Sequence, residues 1–237
     1  MSNTLSALPA DFASWPDKDQ ALFLMRAKWL SEARPEQLPP PPGLWMVWLL
    51  LAGRGFGKTR LAAEDMAYEG LANDGWRMGV VAPTFGDVRD TCFEGESGII
   101  SVLGGKKSRF IAKWNRSMAE LELTNGTIYK GFAGDEPDRL RGPQFHRTWV
   151  DELAAMVRQD EAWANIEMCT RLGVDPKIIV TTTPRPTKLI RELLARSKPP
   201  VVEERADKAL PEDALAGIPR KARSLGTRSP FLDAGPQ

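Results

Sequence analysis

Residues 49–60 read LLLAGRGFGKTR, an apolar run that passes straight into glycines at 53, 55 and 57 and then into Lys58 and Thr59. Glycine lets a backbone curl through conformations closed to residues with side chains, so that successive amides can point inward together. Such a turn is a cradle for an anion. The stretch fits the phosphate-binding pattern G-x-x-x-x-G-K-[ST] everywhere except its first position, where Ala52 is still small enough for a close turn. In that pattern the amides of 53–59 wrap the β-phosphate, Lys58 reaches the β- and γ-oxygens, and Thr59 offers its hydroxyl to Mg²⁺. A helix beginning near Lys58 adds its positive N-terminal end. Gly53, Arg54, Gly55, Phe56, Gly57, Lys58, Thr59 and Arg60 are therefore the candidate nucleotide-binding residues, with Arg54 aimed at phosphate.

The flanking sequence supplies the context such a loop requires. WMVWLLLA (45–52) has strand length and is apolar throughout, as expected of a parallel strand covered on both faces. Residues 58–72 carry helix formers with Leu61, Ala62, Met66 and Leu71 at helical spacing. MGVVAP (78–83) reads as a second buried strand stopped by proline, followed by a mixed segment to 103. In MAELELTNGTIYKGF (118–132), apolar and acidic residues alternate up to Asn125-Gly126, a hairpin signature. RTWV (147–150) and KIIVTT (177–182) are further strands, with helices expected over 159–172 and 187–197. Strands alternating with helices imply an α/β fold with a mostly parallel central sheet, flanked by helices and extended by an antiparallel hairpin.

Outside this core, 19–31 has the pattern of an amphipathic helix, and prolines at 39–42 mark a linker. From residue 198 onward the chain is polar and proline-dotted, too weakly patterned to fold alone. The expected organisation is an N-terminal arm and linker over 1–42, a main domain over 43–198 and a tail over 199–237. Tryptophans 15, 29, 45, 48 and 76 are assigned to packing.

The 237 residues hold 32 Lys and Arg against 31 Asp and Glu, so a net charge of +1 gives no global field for nucleic acid or membrane, and any basic surface is local. Cys92 and Cys169 lack the spacing of a zinc site or redox pair, and His146 is the only histidine, so reduced thiols and no transition metal are expected. No basic stretch followed by an apolar one opens the chain, and no segment reaches the ~20 apolar residues of a spanning helix, so a soluble, intracellular protein is expected.

A P-loop needs an acidic residue at the end of a neighbouring strand to hold magnesium, and Asp151 after RTWV supplies it. Glu152 follows at once, placed to orient and deprotonate an attacking water. The plainer reading is that the pair caps a helix. Thr181, Thr182 and Thr183 stand at another strand end, where their hydroxyls could sense the γ-phosphate or its water. Arg139 and Arg141, in DRLRGPQ, suit the stabilisation of phosphoryl charge in their own subunit or a neighbour's, although solvated surface is the commonest fate of arginine. KKSRFIAKWNR (106–116) combines Lys106, Lys107, Arg109, Lys113 and Arg116 with Phe110 and Trp114 and no acid; it reads equally as a nucleic-acid contact or a solvated basic face.

Taken in order, AGRGFGKTR, VVAPTFGDVRD, GDEPDRLRGPQF, WVDELA and IIVTTTPRP resemble the large terminase subunit of tailed double-stranded DNA bacteriophages, over roughly residues 35–197. The resemblance implies a P-loop NTPase of the ASCE type, an ATP- and Mg²⁺-dependent motor that drives double-stranded DNA into a procapsid in the cytoplasm of the infected bacterium. It implies a homo-oligomeric ring, expected to be a pentamer, with the portal protein and the small terminase subunit as partners and no membrane. Lys58, Thr59 and Arg54 fall in its Walker A loop, Asp151 and Glu152 in Walker B, and Thr181–Thr183 in its coupling motif. Gln37 falls where the family often has an adenine-reading glutamine, and Arg141 where some members supply an arginine to the neighbouring subunit. Only about forty residues follow the last predicted helix, too few for the family's nuclease domain, so a motor half shortened by truncation is expected and nuclease activity is not. The rival readings are a P-loop helicase or translocase on free nucleic acid, and a truncated remnant that holds nucleotide without moving anything.

Overall fold

The computed structural model describes residues 8–9, 11–41, 43 and 45–196, so the 199–237 tail and the last residue of the 187–197 helix lie outside the described residues. The described residues up to Arg34 and those from Pro35 onward form separate compact units. In the first, a 3₁₀ turn at Phe12–Ser14 precedes helix α1 (Asp17–Glu32). Asp17 and Asp19 in its first turn complement the positive end of the helix dipole. The rings of Phe12, Trp15 and Phe23 pack within 5.4–5.7 Å of one another, and Leu22 and Trp29 are buried.

The second unit holds every strand found among the described residues. A 3₁₀ turn at Pro35–Gln37 leads to β1 (Val47–Leu51), the glycine loop and α2 (Lys58–Ala72). Then come β2 (Arg77–Ala82), the one-turn α3 (Phe85–Asp87), a π-helical turn at Val88–Phe93 and the short α4 (Ile99–Val102). Strands β3 (Ile111–Asn115), β4 (Glu120–Leu123) and β5 (Ile128–Ala133) follow, with a 3₁₀ turn at Pro137–Leu140. The unit closes with β6 (Arg147–Asp151), α5 (Gln159–Cys169), β7 (Lys177–Thr182) and α6 (Lys188–Arg196).

Among the described residues, seven strands form one sheet in the order β1-β7-β6-β2-β5-β4-β3. The run from β1 to β5 is parallel, and β4 and β3 extend it antiparallel. The expected hairpin turns at Asn125-Gly126, and its second strand joins the parallel sheet beside β2. β1 lies at the edge of the sheet, because β7 inserts between it and β6: Leu50 is buried on one face, and Val47, Leu49 and Leu51 on the other pack partly buried against the core.

Side-chain alternation assigns the two faces. Val81, Val150, Ile178 and Val180 point into a core with α5 and α6, through Trp163, Ile166, Leu189 and Ile190. Arg147, Trp149 and Asp151, one residue out of phase with Val150, therefore face α2. Two contacts fix α2 on that face. The Tyr129 hydroxyl of β5 donates to the Met66 carbonyl, and its oxygen lies 1.8 Å from where a Cβ on Gly70 would stand, so only glycine permits this approach. Arg147 pairs with Asp65 and, at 3.4 Å, with Glu69, both on α2. This explains a charged residue in a buried strand: an ion that leaves water needs partners at hand. Among the described residues, no helix is long and apolar enough to cross a membrane.

Candidate active site

The strand-to-helix turn of residues 52–57 stands at the carboxyl end of the sheet, where open α/β sheets gather their ligands. Gly55 (φ +79°) and Gly57 (φ +80°) adopt the left-handed conformation that side chains disfavour. Gly57 is constrained twice over, because a Cβ there would lie 2.7 Å from the Gln37 amide nitrogen. Gln37 is buried and donates to the Phe56 carbonyl at 2.9 Å, so it braces the loop from outside the cleft.

Lys58 opens α2 and is buried; its ammonium donates to the Ala52 and Gly53 carbonyls at 2.9 and 3.2 Å and lies 3.6 Å from Glu152 Oε1. Arg54, Gly55, Phe56, Gly57, Lys58, Thr59 and Arg60 line an open cleft of about 580 Å³ together with Glu152. Arg60 also pairs with Glu64 at 2.6 Å.

Asp151 and Glu152 terminate β6 with different surroundings. Asp151 is buried and takes a 2.7 Å hydrogen bond from the Thr181 hydroxyl, which in turn accepts one from the Trp149 indole at 2.8 Å. The parallel register that sets Asp151 beside Thr181 makes this chain of donors possible. The other carboxylate oxygen meets the Cys92 thiol at 3.9 Å. Burial, outweighing the Thr181 hydrogen bond and reinforced by Glu152, pushes the Asp151 carboxyl up to about 6, and burial next to Asp151 likewise raises the Cys92 thiol. Glu152 sits at φ +48°, ψ +45°, a conformation that costs a non-glycine residue about 1 kcal/mol or more and that clusters at functional sites. Its carboxylate caps no helix, which removes the plainer reading of the acidic pair; it accepts instead from the Thr183 amide at 3.0 Å and hydroxyl at 2.9 Å.

Two of the threonines thus serve the carboxylates, and none of the three lines the cleft. Thr181 supports Asp151, Thr183 grips Glu152, and the Thr182 hydroxyl accepts from the Ala154 amide. Arg139 and Arg141 are exposed, lie outside the cleft lining and pair locally with Glu136 and Asp138. The cleft's other wall escaped sequence reasoning. Asp90, Thr91, Gly95, Glu96 and Ser97 line it from the π-helical turn and the loop beyond, a segment with no periodic pattern to betray it. Part of the basic stretch braces this wall: Lys106 and Arg116 pair with Glu94, and Arg116 also with Asp90. Among the described residues, no group of His, Cys, Asp and Glu is arranged as a metal cluster of its own.

A family model described as terminase large subunit, T4likevirus-type, N-terminal, matches residues 49–199. Among solved structures, the large terminase ATPase domain of Thermus phage P74-26 superposes with a TM-score of 0.54 at 17% identity, covering 74% of this chain and 75% of that one. The HK97 bacteriophage large terminase gives 0.46 at 14% identity over 71% and 33% of the two chains. A large terminase from a thermophilic bacteriophage, in complex with ATP-gamma-S, gives 0.43 at 19% identity over 70% and 37%. The present chain thus spans about a third of those two longer proteins. The P74-26 likeness is one of fold, a mixed sheet flanked by helices.

Proposed function

This chain belongs to the family of T4likevirus-type terminase large-subunit N-terminal domains, and from that premise we propose that it is an ATPase that powers the packaging of double-stranded DNA into a viral procapsid. The observation that carries the reading is the approach of Lys58, on the phosphate loop, to within 3.6 Å of Glu152, at the end of β6, in one open cleft. A loop lysine beside a strained, hydrogen-bonded carboxylate, both lining one open cleft, suits phosphoryl transfer to water.

In this mechanism the loop amides, Lys58 and Arg54 hold the β- and γ-phosphates. The Thr59 hydroxyl and the buried Asp151 carboxylate are hard oxygen donors, the kind Mg²⁺ prefers, and they would hold it. When bound, that ion neutralises charge on the phosphates. Glu152 orients a water and takes its proton as the water oxygen bonds to the γ-phosphorus and the bond to the ADP oxygen breaks, giving ADP and phosphate. The Thr183 amide and hydroxyl fix the carboxylate that does so. Gln37 holds the loop's shape, and Arg139 and Arg141, exposed on their turn, are free to reach a neighbouring subunit's cleft. The wider setting is proposed with it: a homo-oligomeric ring at the portal, with the small terminase subunit, in the cytoplasm of the infected host. The catalytic part is residues 43–198.

The test is phosphate release from ATP with Mg²⁺, with and without duplex DNA. Wild type should turn over, and Glu152→Gln should lose roughly 10²–10⁴-fold of that rate. Equal rates would remove Glu152 from the role. No turnover by wild type at any protein concentration, with DNA present, would remove the ATPase reading itself.

A further inference from the structure

The far wall of the cleft is held by an ion-pair hub that the proposed chemistry does not use. Glu94 ends the π-helical turn, directly between Asp90-Thr91 and Gly95–Ser97, which line the cleft. Its Oε1 accepts from Lys106 at 2.6 Å and from the Trp114 indole at 2.8 Å, and its Oε2 accepts from Arg116 Nε at 3.0 Å. The same guanidinium reaches Asp90 at 2.6 Å through its other nitrogen. Beside this network the rings of Phe93 and Trp114 pack with centroids 4.8 Å apart. Three residues on or near β3 thus converge on one carboxylate, and one of them also holds a residue of the cleft lining. A π turn has an irregular hydrogen-bond ladder, so its position depends on such outside anchors.

We propose that Glu94 is a positioning residue for the nucleotide cleft, fastening the wall formed by residues 90–97 to the antiparallel edge of the sheet through Lys106, Trp114 and Arg116. The inference rests on the nucleotide reading of the cleft. The Arg116 fork, bonded to Glu94 and Asp90 at once, sets the separation of the two carboxylates, a task a lysine point charge cannot do. The Lys106 ammonium, with help from Trp114 and Arg116, holds the Glu94 carboxyl down at about 2, so the hub stays charged at any working pH.

The experiment compares wild type with Glu94→Gln and with Arg116→Lys, the latter half-exposed and safe for folding. Backbone hydrogen exchange over 88–97 should quicken in both variants while 53–60 keeps its protection. The KM for Mg·ATP should rise roughly fivefold, with kcat within about twofold. The ratio of variant to wild-type KM should fall toward one as salt approaches about 1 M, where screening reaches ~3 Å. Unchanged exchange in both variants, or a fall in kcat at constant KM, overturns the proposal alone. A wild type that binds no nucleotide overturns it together with the reading on which it rests.

Discussion

The two walls of the cleft are built on different principles. The P-loop wall is local: one strand, six loop residues and one helix place every amide, and its geometry follows from φ at Gly55 and Gly57. The far wall is non-local, an irregular turn held by charges 12 to 26 positions away in sequence. Under α2 the supporting charges are buried, as Arg147 is with Asp65; behind the far wall Lys106, Arg116 and Asp90 are half-exposed around a largely buried Glu94. A buried pair is costly to break and insensitive to salt, whereas an exposed one is individually weak and screened. One wall is rigid by construction, and the other is adjustable.

Five substitutions, two of them paired, test that contrast. The largest expected effect is at the base of the rigid side. Arg147→Ala leaves Asp65 and Glu69 uncompensated under α2 and should destabilise the fold by about 3–5 kcal/mol in urea unfolding; a loss below about 1 kcal/mol would mean the pair is not buried as described. Asp151→Asn comes next and has a sign of its own. Its folded carboxyl, raised by burial to about 6 from an ordinary 3.8, keeps a proton that the unfolded chain has released. That stabilisation is complete below about pH 4 and is lost as the pH rises through 6. At pH 8 the buried charge costs about 2–3 kcal/mol, which the amide relieves. Asp151→Asn should therefore melt higher than wild type at pH 8 and alike at pH 4, and a pH-independent shift would contradict this.

Gly57→Ala should cost about 1–2 kcal/mol, because Cβ meets both the left-handed backbone and the Gln37 amide. Pairing it with Gln37→Ala, which frees the space, should recover part of the loss; full additivity in thermal melts would exclude the clash. The smallest effect belongs to the far side. Thr84→Ala removes a capping box with Asp87 ahead of the π turn and should cost about 1 kcal/mol, read as faster exchange there before any shift in global melting.

The same contrast governs what the sequence discloses. The P-loop, α2, β2, the Asn125-Gly126 hairpin, β6 with its acidic pair, and β7 are all legible because local pattern and backbone demand coincide there. The neighbours of β1 are not, since strand order depends on crossovers and not on any one segment's composition; an edge strand and an interior one can carry the same apolar run. The contacts of Thr181 and Thr183 with the two carboxylates are hidden in the pairing of β6 with β7, whose register Asp151↔Thr181 no single segment discloses. Arg147 looks anomalous in a buried strand until Asp65 on α2 is seen opposite. In the basic stretch at 106–116, the pairing of Lys106 and Arg116 is invisible in one dimension because their acidic partners, Asp90 and Glu94, lie upstream of it.

The most direct test of the shared cleft is to incubate wild type, Glu152→Gln and Lys58→Ala with Mg²⁺ and radiolabelled ATP, then identify the nucleotide that stays with the protein through rapid gel filtration. Intact ATP on Glu152→Gln, ADP or nothing on wild type and nothing on Lys58→Ala is the predicted outcome. ADP on Glu152→Gln, or retained nucleotide on Lys58→Ala, would contradict the pairing of these two residues in one phosphoryl-transfer site.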